Sequence, residues 1–335
     1  MRMSWLGSMM AGFLALTAAG GTPARAADVI RYGIDDDANI NRLLQVVAER
    51  EGLFAREGLE VQMVVFASSF RPLPGARPIS LREAMAKGDI DMSRQQFPLL
   101  INDVMAGSAA KGVSVSMANP LYYLVARPEI KSFADLKGKT VAITAPRDGI
   151  TLWARKLLAL HGVNDGDATL KRIAGSEDRL TCIKSGDCAA ASLGQPAILD
   201  ALAAGGHVLG LNNEVPAVMY QVDTASPAWA AAHRDIVIKY IRATTAAVRF
   251  IEDPKNRDEV VKVTAAYMKE PPVRARAMLD PIWDAKNRVL PQRAAFDLDS
   301  IKGAIAVMGD YGVLQQPLPP PERFIDPSYA AAVGG

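Results

Sequence analysis

The pattern that decides the fold occurs twice: Lys87-Gly88-Asp89 followed by Pro98, and Ser185-Gly186-Asp187 followed by Pro196, with every equivalent pair 98 positions apart. In both copies a glycine ends a helix, a short strand of small or apolar residues follows, and a polar loop precedes the proline that begins the next helix. Two lobes of similar construction would produce this repeat. Chance agreement among residues that are common in turns is the alternative.

Strand and helix patterns alternate on the N-terminal side of the first copy. Residues 29–34 and 60–66 have the pattern of strands, and residues 41–50 between them have that of a helix. Ser80-Leu81-Arg82-Glu83 is a capping box that begins a helix over residues 81–87, in which the serine and glutamate side chains satisfy free backbone N–H groups. This alternation predicts an α/β fold.

A second strand and helix pair follows Gly138. Residues 139–144 have the pattern of a strand, and apolar residues then recur at helical spacing as Ile150, Trp153, Leu157 and Leu160. The spacing predicts a helix whose apolar stripe packs on a sheet. We therefore assign these side chains to the core rather than to a ligand.

The N-terminal 26 residues have the features of a secretory signal peptide. They contain Arg2, an apolar run over residues 5–16 broken only by small residues, and Ala24-Arg25-Ala26-Ala27. The run is shorter than the roughly 20 residues of a membrane-spanning helix. No cysteine marks a lipoprotein and no paired arginines mark a twin-arginine signal. The pattern predicts cleavage near Ala26 and a soluble periplasmic protein.

Removal of residues 1–26 leaves 309 of the 335 residues, which favours two lobes over one core. Two of the 38 basic residues and none of the 36 acidic residues lie in the leader, so the mature sequence is balanced in charge. This balance gives no electrostatic reason to expect nucleic acid as a partner.

The two cysteines, Cys182 and Cys188, are six positions apart in a compartment where disulfides persist. They form either a local disulfide or two buried thiols. The pair alone supplies too few ligands for a zinc site, which takes three or four.

Two further segments resemble those of a known family. GLFAREGLEV at residues 52–61 is similar to the G-F-F-x-x-E-G-L-x-V segment of the nitrate, sulfonate, taurine and thiamine-precursor binding proteins. FADLKGKTVA at residues 133–142 resembles the segment with which those proteins begin their second lobe, and the two glycine-aspartate turns also recur there. The resemblance covers nearly all of residues 28–250. It implies a type II periplasmic binding protein, a Venus-flytrap fold with a solute between two α/β lobes.

The resemblance also implies the organisation of the chain and its partners. Two strands would cross between the lobes near residues 118–121 and 215–218. Lobe 1 would comprise residues 27–118 and 218–335, and lobe 2 residues 119–217. Such proteins are monomers that close on a solute and dock on the permease of an ABC importer with its ATPase. We therefore expect a binding protein without catalytic residues, a metal or a cofactor.

The chain departs from the family after its first strand. Asp35-Asp36-Asp37 precede Asn39 where these proteins usually carry a polar or small-residue loop. Three carboxylates at a cleft edge would repel nitrate or a sulfonate, unless they only cap the next helix. Arginines opposite acidic residues suit a zwitterion or a small carboxylate with hydroxyl or amino groups. Sulfonates, taurine, nitrate, pyrimidines and aromatic acids stay open.

In a doubly wound α/β lobe a ligand lies beyond the carboxyl ends of the strands, where loops lead into helices. The candidate ligand-binding residues are on such loops and beside the crossings: Asp35, Asn39, Ser68, Ser69, Arg71, Arg94, Gln95, Asn119, Tyr122, Arg147, Asp148, Gly149, Thr151, Gln195 and Tyr220.

The loop at residues 146–151 is the strongest candidate for contact with the solute. Gly149 permits close approach of the backbone, and the helix start carries a partial positive charge. Arg147 could clamp a carboxylate through two hydrogen bonds. In the alternative interpretation, Asp148 or Thr151 only caps the helix and Arg147 faces solvent.

Other candidates define the remaining walls of the cleft. Arg94 competes with the helix start for the anion. Tyr122 and Tyr220 lie beside the two proposed crossings and could stack on a ligand. Because side chains alternate along a strand, Tyr122 and Tyr123 cannot both face the cleft.

Two other classes of function compete with transport. A thiamine-pyrimidine synthase resembles the same family, but it carries a cysteine-rich motif and lacks an export signal, the reverse of this sequence. No G-x-S-x-G elbow, P-loop, G-x-G-x-x-G or H-E-x-x-H motif is present, and His161, His207 and His233 lack metal-ligand spacing. A periplasmic sensor module would have the same sequence features as a transport receptor.

Overall fold

The computed structural model describes residues 26–35, 39–66, 75–211, 214–215, 219–292 and 294–334. The predicted signal peptide, apart from Ala26, lies outside the described residues. So do Asp36, Asp37 and the candidate ligand residues Ser68, Ser69 and Arg71.

Ten strands occur in the described ranges and form two sheets of five strands each. They are β1 (Asp28–Ile34), β2 (Leu59–Val65), β3 (Met92–Gln96), β4 (Lys111–Met117), β5 (Tyr123–Ala126), β6 (Thr140–Ile143), β7 (Thr169–Arg172), β8 (Ala190–Leu193), β9 (His207–Leu211) and β10 (Gln221–Ala225).

The two sheets have equivalent construction. Their orders are β2-β1-β3-β10-β4 and β7-β6-β8-β5-β9. In each sheet the first three strands are parallel, and the fourth runs antiparallel to both of its neighbours. The chain passes from the first sheet to the second between β4 and β5, and it returns between β9 and β10. The strand that follows each crossing therefore occupies the same fourth position.

Helices cover the sheets and fill the C-terminal part of the described chain. They are α1 (Leu43–Arg50), α2 (Leu53–Arg56), α3 (Leu81–Lys87), α4 (Phe97–Met105), α5 (Gly149–Leu160), α6 (Ser176–Ser185), α7 (Ala197–Ala203), α8 (Pro227–Ala232), α9 (Arg234–Glu252), α10 (Arg257–Met268), α11 (Pro272–Trp283), α12 (Leu298–Asp310) and α13 (Ser328–Ala331). The predicted α/β class is confirmed.

The sequence repeat corresponds to a structural repeat. Gly88 ends α3 and Gly186 ends α6, both in the left-handed conformation, with φ of 72° and 89°. Strands β3 and β8 follow in the third position of their sheets, and α4 and α7 then begin at equivalent places. The two copies are thus the same strand and helix unit in two lobes.

The predicted helix start at Ser80 and most of the predicted core residues of α5 are confirmed, with two corrections. Ser80 accepts a hydrogen bond from the Glu83 backbone at 3.2 Å, but Glu83 pairs with Lys87 at 2.8 Å instead of completing the capping box. In the α5 stripe, Ile150, Trp153 and Leu157 are buried, whereas Leu160 is 54 % exposed. Leu160 is the last residue of α5, where the apolar stripe ends next to the exposed His161 and Gly162.

Candidate functional site

A cavity of about 330 Å³ lies between the two sheets, with walls from both. The first sheet and its loops supply Asp35, Asn39, Asn41, Arg94, Gln95, Gln96, Leu99, Tyr220 and Gln221. The second supplies Tyr122, Thr144, Ile150, Ala174, Gly175, Ser176, Glu177, Asp178, Arg179, Gln195 and Pro196. Of the predicted ligand residues, Asp35, Asn39, Arg94, Gln95, Tyr122, Gln195 and Tyr220 come together here.

An aromatic cluster spans the inner end of the cavity. The ring of Tyr220 has edge-to-face contacts with Tyr122 and Trp153, with centroids 6.3 and 5.3 Å apart. Asn41 Nδ2 donates to the Tyr220 hydroxyl at 3.1 Å. Burial raises the pKa of both tyrosines, which keeps them protonated at neutral pH. The cluster therefore presents neutral hydroxyls and apolar ring faces to a solute.

Strand β3 places Arg94 against the cavity, and its guanidinium is buried. Arg94 Nη1 donates to Gln221 Oε1 at 2.8 Å and to the Asn41 carbonyl at 3.3 Å. These bonds fix one side of the planar group. They hold a positive charge at the inner surface of lobe 1.

Helix α6 contributes a second buried cation, Arg179, which the sequence analysis missed. Its side chain is 1 % exposed. Nε donates to the Ser192 carbonyl at 2.6 Å, and Nη1 donates to the carbonyls of Ile173 and Ala174 at 2.8 and 2.7 Å. Arg179 thereby ties the loop between β7 and α6 to the end of β8. Desolvation by burial lowers the pKa of its guanidinium.

The charges of the cavity are arranged by depth. Arg94 and Arg179 are buried, whereas Glu177 and Asp178 are exposed at the start of α6 and Asp35 is half-buried. The pKa of Glu177 is raised, first by partial burial and then by the neighbouring carboxylate of Asp200. Buried positive charge thus lies beside exposed negative charge in one cavity, an arrangement that suits a solute with both polarities.

The start of α5 does not present the predicted anion site to the cavity. Asp148 accepts hydrogen bonds from the backbones of Thr151 and Ala145 at 2.7 and 3.0 Å, so its carboxylate caps the helix. The N–H of Gly149 donates across the cleft to Gln96 Oε1 at 3.0 Å. The Arg147 side chain is exposed and lies outside the cavity, as in the alternative interpretation.

Two further candidates, Asn119 and Thr151, lie outside the cavity, and Asn39, which lines it, also has a capping role. Asn119 lines a separate cavity of about 440 Å³ behind the crossings, where its Nδ2 donates to the Asn287 carbonyl at 3.1 Å. The hydroxyl of Thr151 is 3.0 Å from that of Thr144 and is buried. Asn39 caps the next turn by accepting from the Asn41 backbone at 2.9 Å.

The largest omission of the sequence analysis is the loop that leads into α6. Residues 174–179 all line the cavity. The rule that selects loops after parallel strands applies to this loop as well, because it follows β7. Only one of the two neighbouring tyrosines lines the cavity, as the alternation of side chains along a strand predicts. It is Tyr122, whereas Tyr123 packs with buried apolar residues of the second lobe.

Contacts cross the cleft at several other points. Arg274 pairs with Asp200 at 2.9 and 3.1 Å, and Lys156 pairs with Asp310 at 3.1 Å. The guanidinium of Arg155 lies 4.0 Å from the ring centroid of Tyr311. The two lobes thus touch at two places outside the cavity.

The described residues contain no cluster of three or more metal-ligating side chains. Among the cavity-lining residues described above, none is a histidine or cysteine. Cys182 and Cys188 form a disulfide, with their Cα atoms 5.2 Å apart, as one of the two sequence alternatives predicted. No helix in the described ranges is both long and apolar enough to cross a membrane.

The NMT1-like family matches residues 40–266, and the chain belongs to this family. A protein of Haemophilus influenzae that is named for thiamine biosynthesis is 31% identical over 132 residues. That match covers 38% of this chain and 39% of the Haemophilus protein, so the alignment spans well under half of that relative.

Solved structures with this fold extend over most of the chain. The periplasmic aliphatic sulphonate binding protein of Escherichia coli has a TM-score of 0.70 at 15% identity, covering 89% of this chain and 92% of that one. The ligand-binding component of an ABC-type import system of Staphylococcus aureus, solved with zinc, has 0.72 at 12%, covering 91% and 99%. A desulfurization enzyme has 0.66 at 16%, covering 91% and 98%. The fold is that of the periplasmic binding proteins.

Proposed function

We propose that this chain is a periplasmic receptor that captures a small polar or anionic organic solute between its lobes and delivers it to an ABC importer. The observation that carries the proposal is the cavity between the sheets, which both lobes line and which contains buried cations and exposed carboxylates. The binding proteins of Escherichia coli and Staphylococcus aureus that share the fold support it.

The mechanism that follows is hinge closure. Lobe 1, residues 27–118 and 218–335, and lobe 2, residues 119–217, move about the two crossings, and the solute stabilises their closed arrangement. The closed monomer docks on the permease, which acts with its ATPase. An N-terminal signal peptide that ends near Ala26 would bring the chain to the periplasm.

An enzymatic function is the second candidate, because a desulfurization enzyme shares the fold and a relative is named for thiamine biosynthesis. The lining of the described cavity offers carboxylates, amides and hydroxyls, but neither a thiol nor an imidazole. We propose that no covalent step occurs there. Recovery of the bound solute in unchanged form distinguishes the two functions.

The test is thermal unfolding of the purified mature chain against carboxylates, hydroxy and amino acids, sulfonates, taurine, nitrate and pyrimidines. A solute that binds only the folded state adds about 2.7 kcal/mol of stability at a hundredfold excess over Kd. We expect at least one solute to raise Tm saturably and to be recovered unchanged by mass spectrometry.

Two matched variants test whether the solute that shifts Tm binds in this cavity. Ala174→Phe places a ring in the cavity and should abolish the Tm shift, whereas Ala203→Phe, on the exposed end of α7, should preserve it. The receptor function is rejected if no solute shifts Tm or if the solute is converted. A Tm shift that persists in Ala174→Phe would show that the solute binds outside this cavity.

A further inference from the structure

The start of α6 lines the cavity with backbone groups that no described side chain caps. The N-cap residue is Gly175, and the helix has no side-chain capping hydrogen bond. The first N–H groups of a helix lack partners within the helix and carry partial positive charge. At α5, by contrast, Asp148 and Gln96 accept hydrogen bonds from the corresponding groups.

Arg179 adds a buried charge beneath this helix start. Besides its three carbonyl partners it donates from Nη2 to Ser176 Oγ at 2.9 Å, in the first turn of α6. Each of these four acceptors is a carbonyl or hydroxyl oxygen. Burial lowers the pKa of the guanidinium, and the carboxylates of Asp148 and Asp178, which act on it only through space, raise that pKa by less. A buried cation without a contacting counterion favours an anion beside it.

The amide of Gln195 is the independent sign of a ligand at this place. Gln195 is 9 % exposed and lines the cavity, yet its Oε1 has no hydrogen-bond partner among the described residues. A buried acceptor without a hydrogen-bond partner is unfavourable, because it has lost its contact with water. The preceding residue, Gly194, donates its N–H to Ser176 Oγ at 3.3 Å, so Gln195 adjoins the start of α6.

Tyr122 confines the same space from the side. A Cβ atom at Gly194 would lie 2.9 Å from the Tyr122 ring, so the ring packs directly on this part of the backbone. The ring, the helix start and the amide of Gln195 thus bound one small region in lobe 2. The carboxylates of Glu177 and Asp178 are exposed in the same first turn of α6, and Asp178 Oδ2 lies 3.0 Å from where a Cβ atom of Gly175 would be.

We propose that the start of α6 is the oxyanion subsite of the cavity. The solute has a carboxylate, sulfonate or phosphate group at this helix start, and a hydroxyl or amino group on a neighbouring atom donates to Gln195 Oε1. The inference rests on the proposed receptor function and deepens it, because it specifies an oxyanion next to a hydrogen-bond donor. The exposed carboxylates of the cavity favour the amino form.

The test compares solutes that differ only in that donor: lactate and alanine with propanoate, and aminomethanesulfonate with methanesulfonate. Calorimetry should give a Kd about tenfold lower for at least one donor-bearing member, equivalent to 1.4 kcal/mol. Gln195→Leu should remove this preference. Gln62→Leu is the matched control, because Gln62 is exposed on β2 and lies outside the cavity.

A crystal soaked in selenate, a heavy oxyanion, gives a direct second readout. We expect its anomalous peak at the start of α6, and a peak inside the cavity at another place would overturn the subsite. Solutes that bind without a donor preference, or a preference that Gln195→Leu leaves intact, overturn the inference and leave the receptor function standing. If no solute of any class binds, the oxyanion subsite and the receptor function are both rejected.

Discussion

At the scale of single residues, the buried carboxylate of Asp223 links side chains from several strands and helices of lobe 1. It lies on β10, 1 % exposed, and accepts hydrogen bonds from the hydroxyls of Tyr32, Ser114 and Tyr240 and from Gln45 Nε2. Burial raises the pKa of its carboxyl group, and the hydroxyl donors offset part of that rise. Because β10 follows the return crossing, this network fixes the strand that also presents Gln221 to the cavity.

We expect Asp223→Asn to lower the free energy of unfolding by about 1–3 kcal/mol, because hydroxyl donors lose their acceptor. A carboxyl with a raised pKa binds more protons in the folded state, so its contribution to stability is greatest at low pH. That contribution declines as pH rises from about 3.9 through the folded-state pKa. The stability difference between wild type and variant should therefore shrink as pH rises.

Urea unfolding at a series of pH values measures this difference. Gln315→Asn, at an exposed position with no titratable group, is the control and should give no pH-dependent difference. A difference that grows with pH would show that the Asp223 carboxylate is held ionised in the folded protein.

At the scale of elements, the disulfide Cys182–Cys188 joins α6 to the start of β8. A crosslink over so short a loop stabilises by about 2 kcal/mol through the entropy of the unfolded chain. Reduction should lower the free energy of unfolding by that amount. Solute affinity should persist, because the bridge lies at the opposite end of α6 from its cavity-lining first turn.

Unfolding with and without reductant, on wild type and on a Cys182→Ala/Cys188→Ala variant, checks this expectation. The variant should be insensitive to reductant. A reductant effect in the variant would attribute the change to something other than the bridge, and loss of solute affinity on reduction would show that the bridge positions the helix start.

At the scale of the whole molecule, ion pairs across the cleft hold the lobes together. We expect Asp200→Asn, which breaks the pair with Arg274, to weaken solute affinity about two- to fivefold, since half-exposed pairs contribute about 0.2–1 kcal/mol. In the proposed hinge closure the solute stabilises the closed arrangement, so a pair across the cleft would contribute to binding. Calorimetry at low and high salt measures the effect, which salt should diminish.

The matched control is Arg276→Gln, which removes an exposed pair with Asp258 within one lobe. It should leave affinity unchanged. Equal effects of both substitutions would mean that long-range charge, rather than the contact across the cleft, sets the affinity.

Sequence patterns predicted the α/β class, the repeat and most helix starts, because these depend on neighbouring residues. Gly88 and Gly186 end their helices in the left-handed conformation wherever the lobes lie. The sequence patterns also identified the kind of loop that lines the cavity, a loop that follows a parallel strand and leads into a helix. They did not separate Arg147 from Arg179, because both follow a parallel strand near the start of a helix and nothing local shows which of the two is buried beside the cavity.

The sequence by itself therefore determined the two lobes and the residues from which a site could be built. Tertiary structure alone decided that Asp148 and Gln96 satisfy the start of α5, that the start of α6 lines the cavity, and that Arg179 is buried while Arg147 is exposed. The physical reason is that capping and strand patterns act over a few residues. Which helix start meets the cavity depends on how two sheets pack across the cleft, and residues far apart in the chain set that packing.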